Sequence, residues 1–190
     1  MTIARLRLYA LTTVGGFFIV YQLLAEAMSP DGPSFSDLVW TLLVIPMYAV
    51  GAWLTWRLPT HPQPVRLLVA GTAFLATDTF GSLVGSQPQL IDSAWAPVLS
   101  TLDLEAQAVG SLAVALLIGS YPDGVVERSG QRLALRSSWV VLLGPPLALL
   151  ASPVVPVSPF VTDELAIPNP YTVSWLAWLG QPALWLAVNS

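Results

Sequence analysis

The stretch from residue 5 to residue 31 reads RLRLYALTTVGGFFIVYQLLAEAMSPD, and it contains the pattern that decides the fold. Two arginines precede a run of mostly apolar residues, and acids follow the run. An α-helix needs about 20 such residues to cross the hydrocarbon core of a bilayer. Because lipid offers no hydrogen-bond partners, the backbone of the run must bond within itself. The stretch therefore predicts a membrane-spanning helix.

Similar segments recur along the whole chain. We place six of them at Leu6–Met28, Phe35–Trp56, Val65–Gly85, Leu104–Tyr121, Ser138–Val157 and Val173–Val188. Only 9% of the 190 residues are charged, whereas a soluble domain carries about 25%. The sequence therefore predicts an all-α polytopic membrane protein, a single domain over residues 1–190 built as a bundle of about six transmembrane helices.

The basic residues are all arginines, and they lie before the first segment or in and beside alternate gaps between the segments, at most two residues inside a segment. They are Arg5, Arg7, Arg57, Arg66, Arg128, Arg132 and Arg136. The other gaps hold acids and no Lys or Arg. Since cytoplasmic loops of membrane proteins carry the excess of basic residues, this pattern predicts a multi-pass protein of the inner (plasma) membrane with a cytoplasmic N-terminus.

Each end of the chain has two interpretations. Ala25-Glu26-Ala27 fits a signal-peptidase site, but the apolar run Leu8–Leu24 exceeds the usual length of about 7–15 residues, which favours an uncleaved helix. The last segment is short and is interrupted by Gln181-Pro182. We expect the natural chain to continue into the cytoplasm. The alternative is a short sixth helix that ends at the interface.

Several classes of function are excluded by what the sequence lacks. It contains no Cys and a single His, His61, in a proline-rich loop. No Ser/His/Asp set, glycine-rich phosphate loop or metal-ligand spacing is present. The residues therefore predict no catalytic site, no metal and no cofactor. Seven scattered arginines also form no basic patch for nucleic acid.

One acid, Asp78, lies inside the third predicted segment. Counted from Arg66, it is about 18 Å along the helix. An ionisable group at such a depth is costly and is a functional candidate by default. We interpret Asp78 as a candidate for ligand, cation or proton sensing. The alternative is a structural hydrogen bond to a nearby Thr or Ser or to a facing helix.

Three polar residues, Asp103, Glu105 and Gln107, open the fourth predicted segment. Counted outward from Tyr121, they reach the outer third of the membrane. Together with Asp78 they could form an outward-facing sensing pocket. The alternative is that these acids favour a helix N-terminus in the headgroup region.

A glycine and two prolines, Gly144, Pro145 and Pro146, interrupt the fifth predicted segment. Proline removes a backbone donor and kinks a helix. The three residues are hinge candidates for signalling, and a static kink is the alternative.

Two short motifs carry a family resemblance. Tyr121-Pro122-Asp123-Gly124 ends the fourth segment and precedes an arginine-bearing stretch up to Arg136. A span, an outer loop with Asn169-Pro170 and an inward-pointing segment follow. This order resembles the membrane-embedded N-terminal region of actinobacterial two-component sensor histidine kinases. Those proteins often read Phe-Pro-Asp-Gly-Arg at the first place and typically have an Asn-Pro pair at the second.

The resemblance implies a sensing domain that passes a membrane-proximal signal through its last helix. It also implies a homodimer, a response regulator as partner, and a cytoplasmic part that makes the whole protein an ATP-dependent histidine kinase. The lipid bilayer is the immediate partner, because the outer loops are too short to hold a separate binding domain. Two other classes stay open: a small transport or channel-like protein, and a structural subunit of a membrane complex.

Overall fold

The computed structural model describes residues 3–28, 35–86, 92–121, 124–125, 129–156 and 166–183. These residues are mostly helical. The α-helices are α1 (Ile3–Met28), α2 (Phe35–Arg57), α3 (Pro62–Ser86), α4 (Ala96–Gly119), α5 (Ser129–Ser138) and α6 (Gly144–Ala151). Two 3-10 helices cover Trp139–Leu143 and Ser174–Leu179, and two short strands are β1 (Val154–Pro156) and β2 (Ala166–Pro168).

Three of the helices are long and apolar enough to cross a membrane. The qualifying stretches are Arg5–Ala25, Val39–Arg57 and Ala96–Gly119. They coincide with the first, second and fourth predicted segments, whose helical nature is confirmed. On α1 and α2, large apolar side chains are exposed, among them Phe17 at 64% and Leu42 at 72%. Exposed apolar surface of this extent marks contact with lipid or with another protein.

Residues 62–79 of helix α3 belong to a compact unit formed by residues 1–79 and 109–135. The helix is the predicted third segment, yet its buried face is rich in Ala and Thr. Leu68 and Leu75 on this helix are fully buried. A Cβ on Gly71 would come within 2.6 Å of the Tyr48 nitrogen, so α2 and α3 pack backbone against backbone. Small residues permit this close approach between membrane helices.

Helices α1 and α2 are joined by polar contacts inside the same unit. The Tyr48 hydroxyl on α2 donates to the Thr12 carbonyl on α1. Nearer the other end of the pair, Gln22 Nε2 donates to Thr41 Oγ1 at 2.9 Å. The Tyr48 ring lies where a Cβ on Gly15 would be, so only glycine fits at that position.

The fifth predicted segment is the main departure, and it lies in a second compact unit, residues 80–108 and 136–190. We predicted one helix over Ser138–Val157. The structure instead has a 3-10 helix, then α6, which ends at Ala151. Strand β1 follows and pairs antiparallel with β2, with Val155 opposite Ile167. Pro153 cannot continue the helix because it lacks a backbone donor. The all-α expectation therefore holds except for this small sheet.

The sixth predicted segment begins with the 3-10 helix Ser174–Leu179, and helical geometry continues to Ala183. Its remainder lies outside the described residues. Ala183 packs with Leu104 and Ala148 in a small buried cluster. A Cβ on Gly180 would lie 2.7 Å from the Ala151 carbonyl oxygen, so the chain passes close to the end of α6.

Candidate functional site

The predicted sensing residues of the fourth segment lie well inside helix α4. This helix begins at Ala96 and not at Leu104 as predicted. Ser93 organises the start: its Oγ accepts the Trp95 N–H at 3.3 Å, and its carbonyl accepts the Ala96 N–H at 3.2 Å. Pro97 then stands in the first turn, where its missing N–H costs nothing. The expectation that three polar residues open the helix was wrong.

Asp103, Glu105 and Gln107 are instead about two to three turns along the helix. Asp103 lies about 10 Å and Gln107 about 16 Å from its first residue. The helix has 24 residues, or about 36 Å, against a hydrocarbon core of about 30 Å. Gln107 therefore lies too far along α4 to be explained as part of the helix N-terminus, since that effect is confined to the first turn.

Burial distinguishes Asp103 from Glu105 and Gln107, which are only partly buried. Its side chain is 1% exposed, and Ser100, one turn earlier, is 0% exposed. Residues three and four apart share a helix face, so Ser100, Asp103 and Gln107 form one polar stripe on α4. A carboxyl group buried within a span is expected to have a function or a specific partner.

Two further acceptor oxygens lie on α4, one on Gln107 in the polar stripe and one on Glu105, which is on the opposite face of the helix. Glu105 Oε2 and Gln107 Oε1 are buried, and neither has a hydrogen-bond partner among the described residues. Thr101 differs, since its hydroxyl donates to the Pro97 carbonyl at 2.7 Å. Carboxylate and amide oxygens can accept a hydrogen bond or coordinate a cation. The side-chain oxygens of α4 can therefore accept hydrogen bonds or coordinate a cation.

The side chain of Asp78 lies outside the described residues, although its backbone is part of α3. Its neighbours Thr77 and Thr79 donate their hydroxyls to the carbonyls of Ala73 and Leu75, at 3.3 and 2.8 Å. The shared pocket of Asp78 with Asp103 stays a prediction.

The Tyr121–Gly124 motif closes the C-terminal end of α4. Gly124 has φ +77° and donates its N–H to the Ser120 carbonyl at 2.7 Å. A left-handed residue that terminates a helix in this way is usually glycine. Tyr121 is exposed, and Pro122 and Asp123 lie outside the described residues.

Two side chains at the start of α3 reach this helix end. Gln63 Nε2 donates to the carbonyls of Leu117 and Ser120, at 3.3 and 2.9 Å. Arg66 Nη1 donates to Ser120 Oγ and, at 3.2 Å, to the Gly124 carbonyl. The last carbonyls of a helix need such partners, and a cation there also suits the helix dipole. We call Gln63, Arg66, Ser120 and Gly124 the arginine cap.

The second motif closes the C-terminal end of α6. Asn169 Nδ2 donates to the carbonyls of Leu149 and Ser152, the latter at 2.8 Å. Thr172 Oγ1 also donates to the Ser152 carbonyl at 2.8 Å. The Asn169 side-chain oxygen accepts the Tyr171 N–H at 3.0 Å, an Asx-type turn around Pro170. We call Ser152, Asn169 and Thr172 the asparagine cap.

A cleft of about 450 Å³ lies beside the asparagine cap. Asp92, Ser93 and Pro170 contribute to its lining, and Tyr171 bridges one edge by donating its hydroxyl to the Ala94 carbonyl at 2.9 Å. The hinge candidates lie elsewhere: Gly144, Pro145 and Pro146 form the first turn of α6, directly after the 3-10 helix. Prolines are well tolerated in a first turn.

Comparison of the chain with family models, with curated proteins and with solved structures gives no match. The resemblance to sensor histidine kinases therefore depends on the two motifs and on the order of the segments. The residues that hold those motifs, namely Gln63, Arg66, Ser120 and Ser152, were missed by sequence reasoning. In the sequence, these residues were distinguished only by their position near predicted helix ends that face the same side of the membrane as the motif they contact.

Proposed function

We propose that the chain is the membrane-embedded sensing region of a two-component sensor histidine kinase. The observation that carries the proposal is the construction of α4. This uninterrupted helix holds the buried Asp103 in its first half and the arginine cap at its last residues. A change at the polar stripe can therefore move the far end of the same helix.

The arginine cap gives that movement a route to the next element. The Gly124 carbonyl accepts a hydrogen bond from Arg66, and α5 begins five residues later along the chain. Near the end of α4, Leu135 of α5 lies beside Gly119, with its Cδ1 atom 3.4 Å from where a Cβ on Gly119 would be. A shift or rotation of α4 would displace α5. Small helix shifts of this kind are a known means of signalling.

The proposal includes an orientation, with the N-terminus and the arginine-bearing gaps on the cytoplasmic side. Because the chain has no Cys, single cysteines report topology without background. We expect Thr60→Cys to be labelled from inside and Ala94→Cys from outside by a membrane-impermeant maleimide. The reverse pattern would reject the orientation.

The function is tested with the natural full-length protein in liposomes. We expect autophosphorylation from labelled ATP, and we expect Asp103→Asn to change its rate about fivefold, within the usual range of coupling between sites. Asp92→Asn, an exposed acid outside α4, is the comparator. A larger effect of Asp92→Asn would place the input at the outer cleft. A natural protein without a phosphoacceptor histidine and an ATP-binding domain would refute the proposal.

A transport function is the second candidate, because Glu105 and Gln107 hold buried acceptor oxygens within a span. It predicts proton or cation flux across the same liposomes, measured with an internal pH- or cation-sensitive dye. Flux that Glu105→Gln abolishes, in a protein that does not phosphorylate, would favour transport over sensing.

A further inference from the structure

A cavity of about 570 Å³ lies between the beginning of α1 and the end of α2. Arg5, Tyr9 and Thr12 line it from α1, and Ala52 and Trp56 line it from α2. All of these residues belong to the same compact unit. The two helices are fixed beside the cavity by the Tyr48–Thr12 hydrogen bond, so the opening is part of the helix packing.

The charged side chains that the described residues place at this cavity are arginines. Arg5 contributes a guanidinium to the lining, and Arg57 stacks over the Trp56 ring with its central carbon 5.5 Å from the ring centre. No Asp or Glu occurs in residues 1–25 or 38–77 of the sequence. An anion would therefore meet positive charge here without a competing carboxylate from residues 1–25 or 38–77, since Glu26 and Asp37 lie at the opposite ends of α1 and α2.

The rest of the lining combines an apolar wall with amphipathic rings. Leu8 and Ala52 are apolar, while Tyr9 and Trp56 carry a hydroxyl and an indole N–H. Tyr9 is 58% and Trp56 is 68% exposed, and Tyr and Trp are the residues enriched at membrane–water boundaries. Towards the middle of α1, Phe17 and Val20 continue the exposed apolar surface. A ligand with a charged head and long chains fits this gradient better than a free anion.

We infer that this cavity binds the phosphate headgroup of an anionic phospholipid, with Arg5 as the charged contact and the acyl chains along the outer faces of α1 and α2. Basic pockets between membrane helices bind such headgroups in other proteins. The inference requires only that this end of α1 and α2 meets a headgroup layer. It is independent of the sensing function and of the leaflet.

The test is native mass spectrometry of the purified chain titrated with dioleoyl phosphatidylglycerol or dioleoyl phosphatidylcholine. One arginine near a membrane surface contributes about a fivefold change in affinity for anionic lipid. We therefore expect the first phosphatidylglycerol to bind about fivefold more tightly than phosphatidylcholine. Arg5→Gln should remove this preference, and Arg5→Lys should keep most of it. Arg7→Gln, the same charge change two residues away and outside the cavity, should leave it intact.

A second variant separates the cavity from general charge attraction. Ala52→Leu narrows the cavity and keeps every arginine, so it should weaken phosphatidylglycerol binding with no change in the unfolding midpoint. This variant and Arg5→Lys decide the question if Arg5→Gln fails to fold. Equal losses for Arg5→Gln and Arg7→Gln, or unchanged binding to Ala52→Leu, would overturn the inference. So would full displacement of the lipid by millimolar inorganic phosphate, which would identify a free-anion site.

Discussion

The arginine cap and the asparagine cap solve the same problem with different chemistry. Each closes the C-terminal end of a helix whose last carbonyls have no partner within that helix. At α4 the donors are the Arg66 guanidinium and the Gln63 amide, both from the first turns of α3. At α6 the donors are the neutral Asn169 amide and the Thr172 hydroxyl. The first cap joins two long helices, whereas the second joins a short helix to a loop.

The difference follows from the distribution of charge in the sequence. Arginines occur only in alternate gaps, so a helix that ends in such a gap can use a cation as its cap. The gap after α6 contains no Lys or Arg. A neutral donor must therefore satisfy its carbonyls, and Asn169 serves as that donor. The distribution of arginines along the sequence thus accounts for the different chemistry of the two caps.

The largest expected effect is at the glycine of the arginine cap. Gly124→Ala should lower the free energy of unfolding by about 3 kcal/mol, because the backbone is left-handed and the new Cβ would overlap the Pro62 ring. The measurement is an SDS titration of the chain in mixed micelles. Gly119→Ala is the control, since its Cβ would be in ordinary contact at 3.4 Å. Equal effects of the two changes would show that Gly124 is not constrained by its conformation.

The next effect is at the asparagine cap. Asn169→Leu removes both donors to the carbonyls of Leu149 and Ser152, so it should cost about 2 kcal/mol in the same titration. Gln181→Leu removes an exposed amide in the same unit and should stay within about 0.5 kcal/mol of the unchanged chain. If Asn169→Leu is equally mild, the loop does not cap α6, and the parallel between the two motifs fails.

The bounds of α1, α2 and α3 could be predicted from the sequence because long apolar runs end at clear breaks. Pro59 and Pro62, for example, mark the gap between α2 and α3. The start of α4 was misplaced because Asp103 and Glu105 lower the local hydropathy, although Ser93 and Pro97 are recognisable start signals. The strand pairing of Val155 with Ile167 could not be predicted, since it depends on contact between distant residues.

The candidate site was predictable only in its residue types. Asp103, Glu105 and Gln107 were found because polar groups are rare in apolar segments, but their burial depends on packing that the sequence does not specify. The arginine cap could not be predicted either, because it also depends on packing between residues that are distant in the sequence. Arg66 and Ser120 are 54 residues apart, and nothing local to either residue indicates the hydrogen bond between them. The Tyr121–Gly124 motif was recognised in the sequence, but its role in closing the C-terminal end of α4 was not.

A smaller change examines whether the arginine cap depends on charge alone. Arg66→Lys keeps the cation but loses the planar fork that reaches Ser120 and Gly124 together. We expect a loss of about 1 kcal/mol in the free energy of unfolding. Arg7→Lys, at an exposed position of α1, should have no measurable effect. Full stability of Arg66→Lys would mean that the dipole interaction, and not the hydrogen-bond geometry, sustains the cap.

The smallest expected effect compares the two tyrosines associated with the motifs. Tyr171 donates its hydroxyl to the Ala94 carbonyl at 2.9 Å and so ties the asparagine cap to the segment before α4. Because this hydrogen bond is exposed, Tyr171→Phe should cost only about 0.5 kcal/mol. Tyr121→Phe is the matched change at the arginine cap, where the ring is 79% exposed, and it should cost less. Thermal unfolding in detergent, repeated until differences of that size are resolved, compares the two. Equal midpoints would indicate that the asparagine cap is held by Asn169 and Thr172 alone. A larger loss for Tyr121→Phe would reverse the order and would point to a contact of the Tyr121 hydroxyl that matters to the arginine cap.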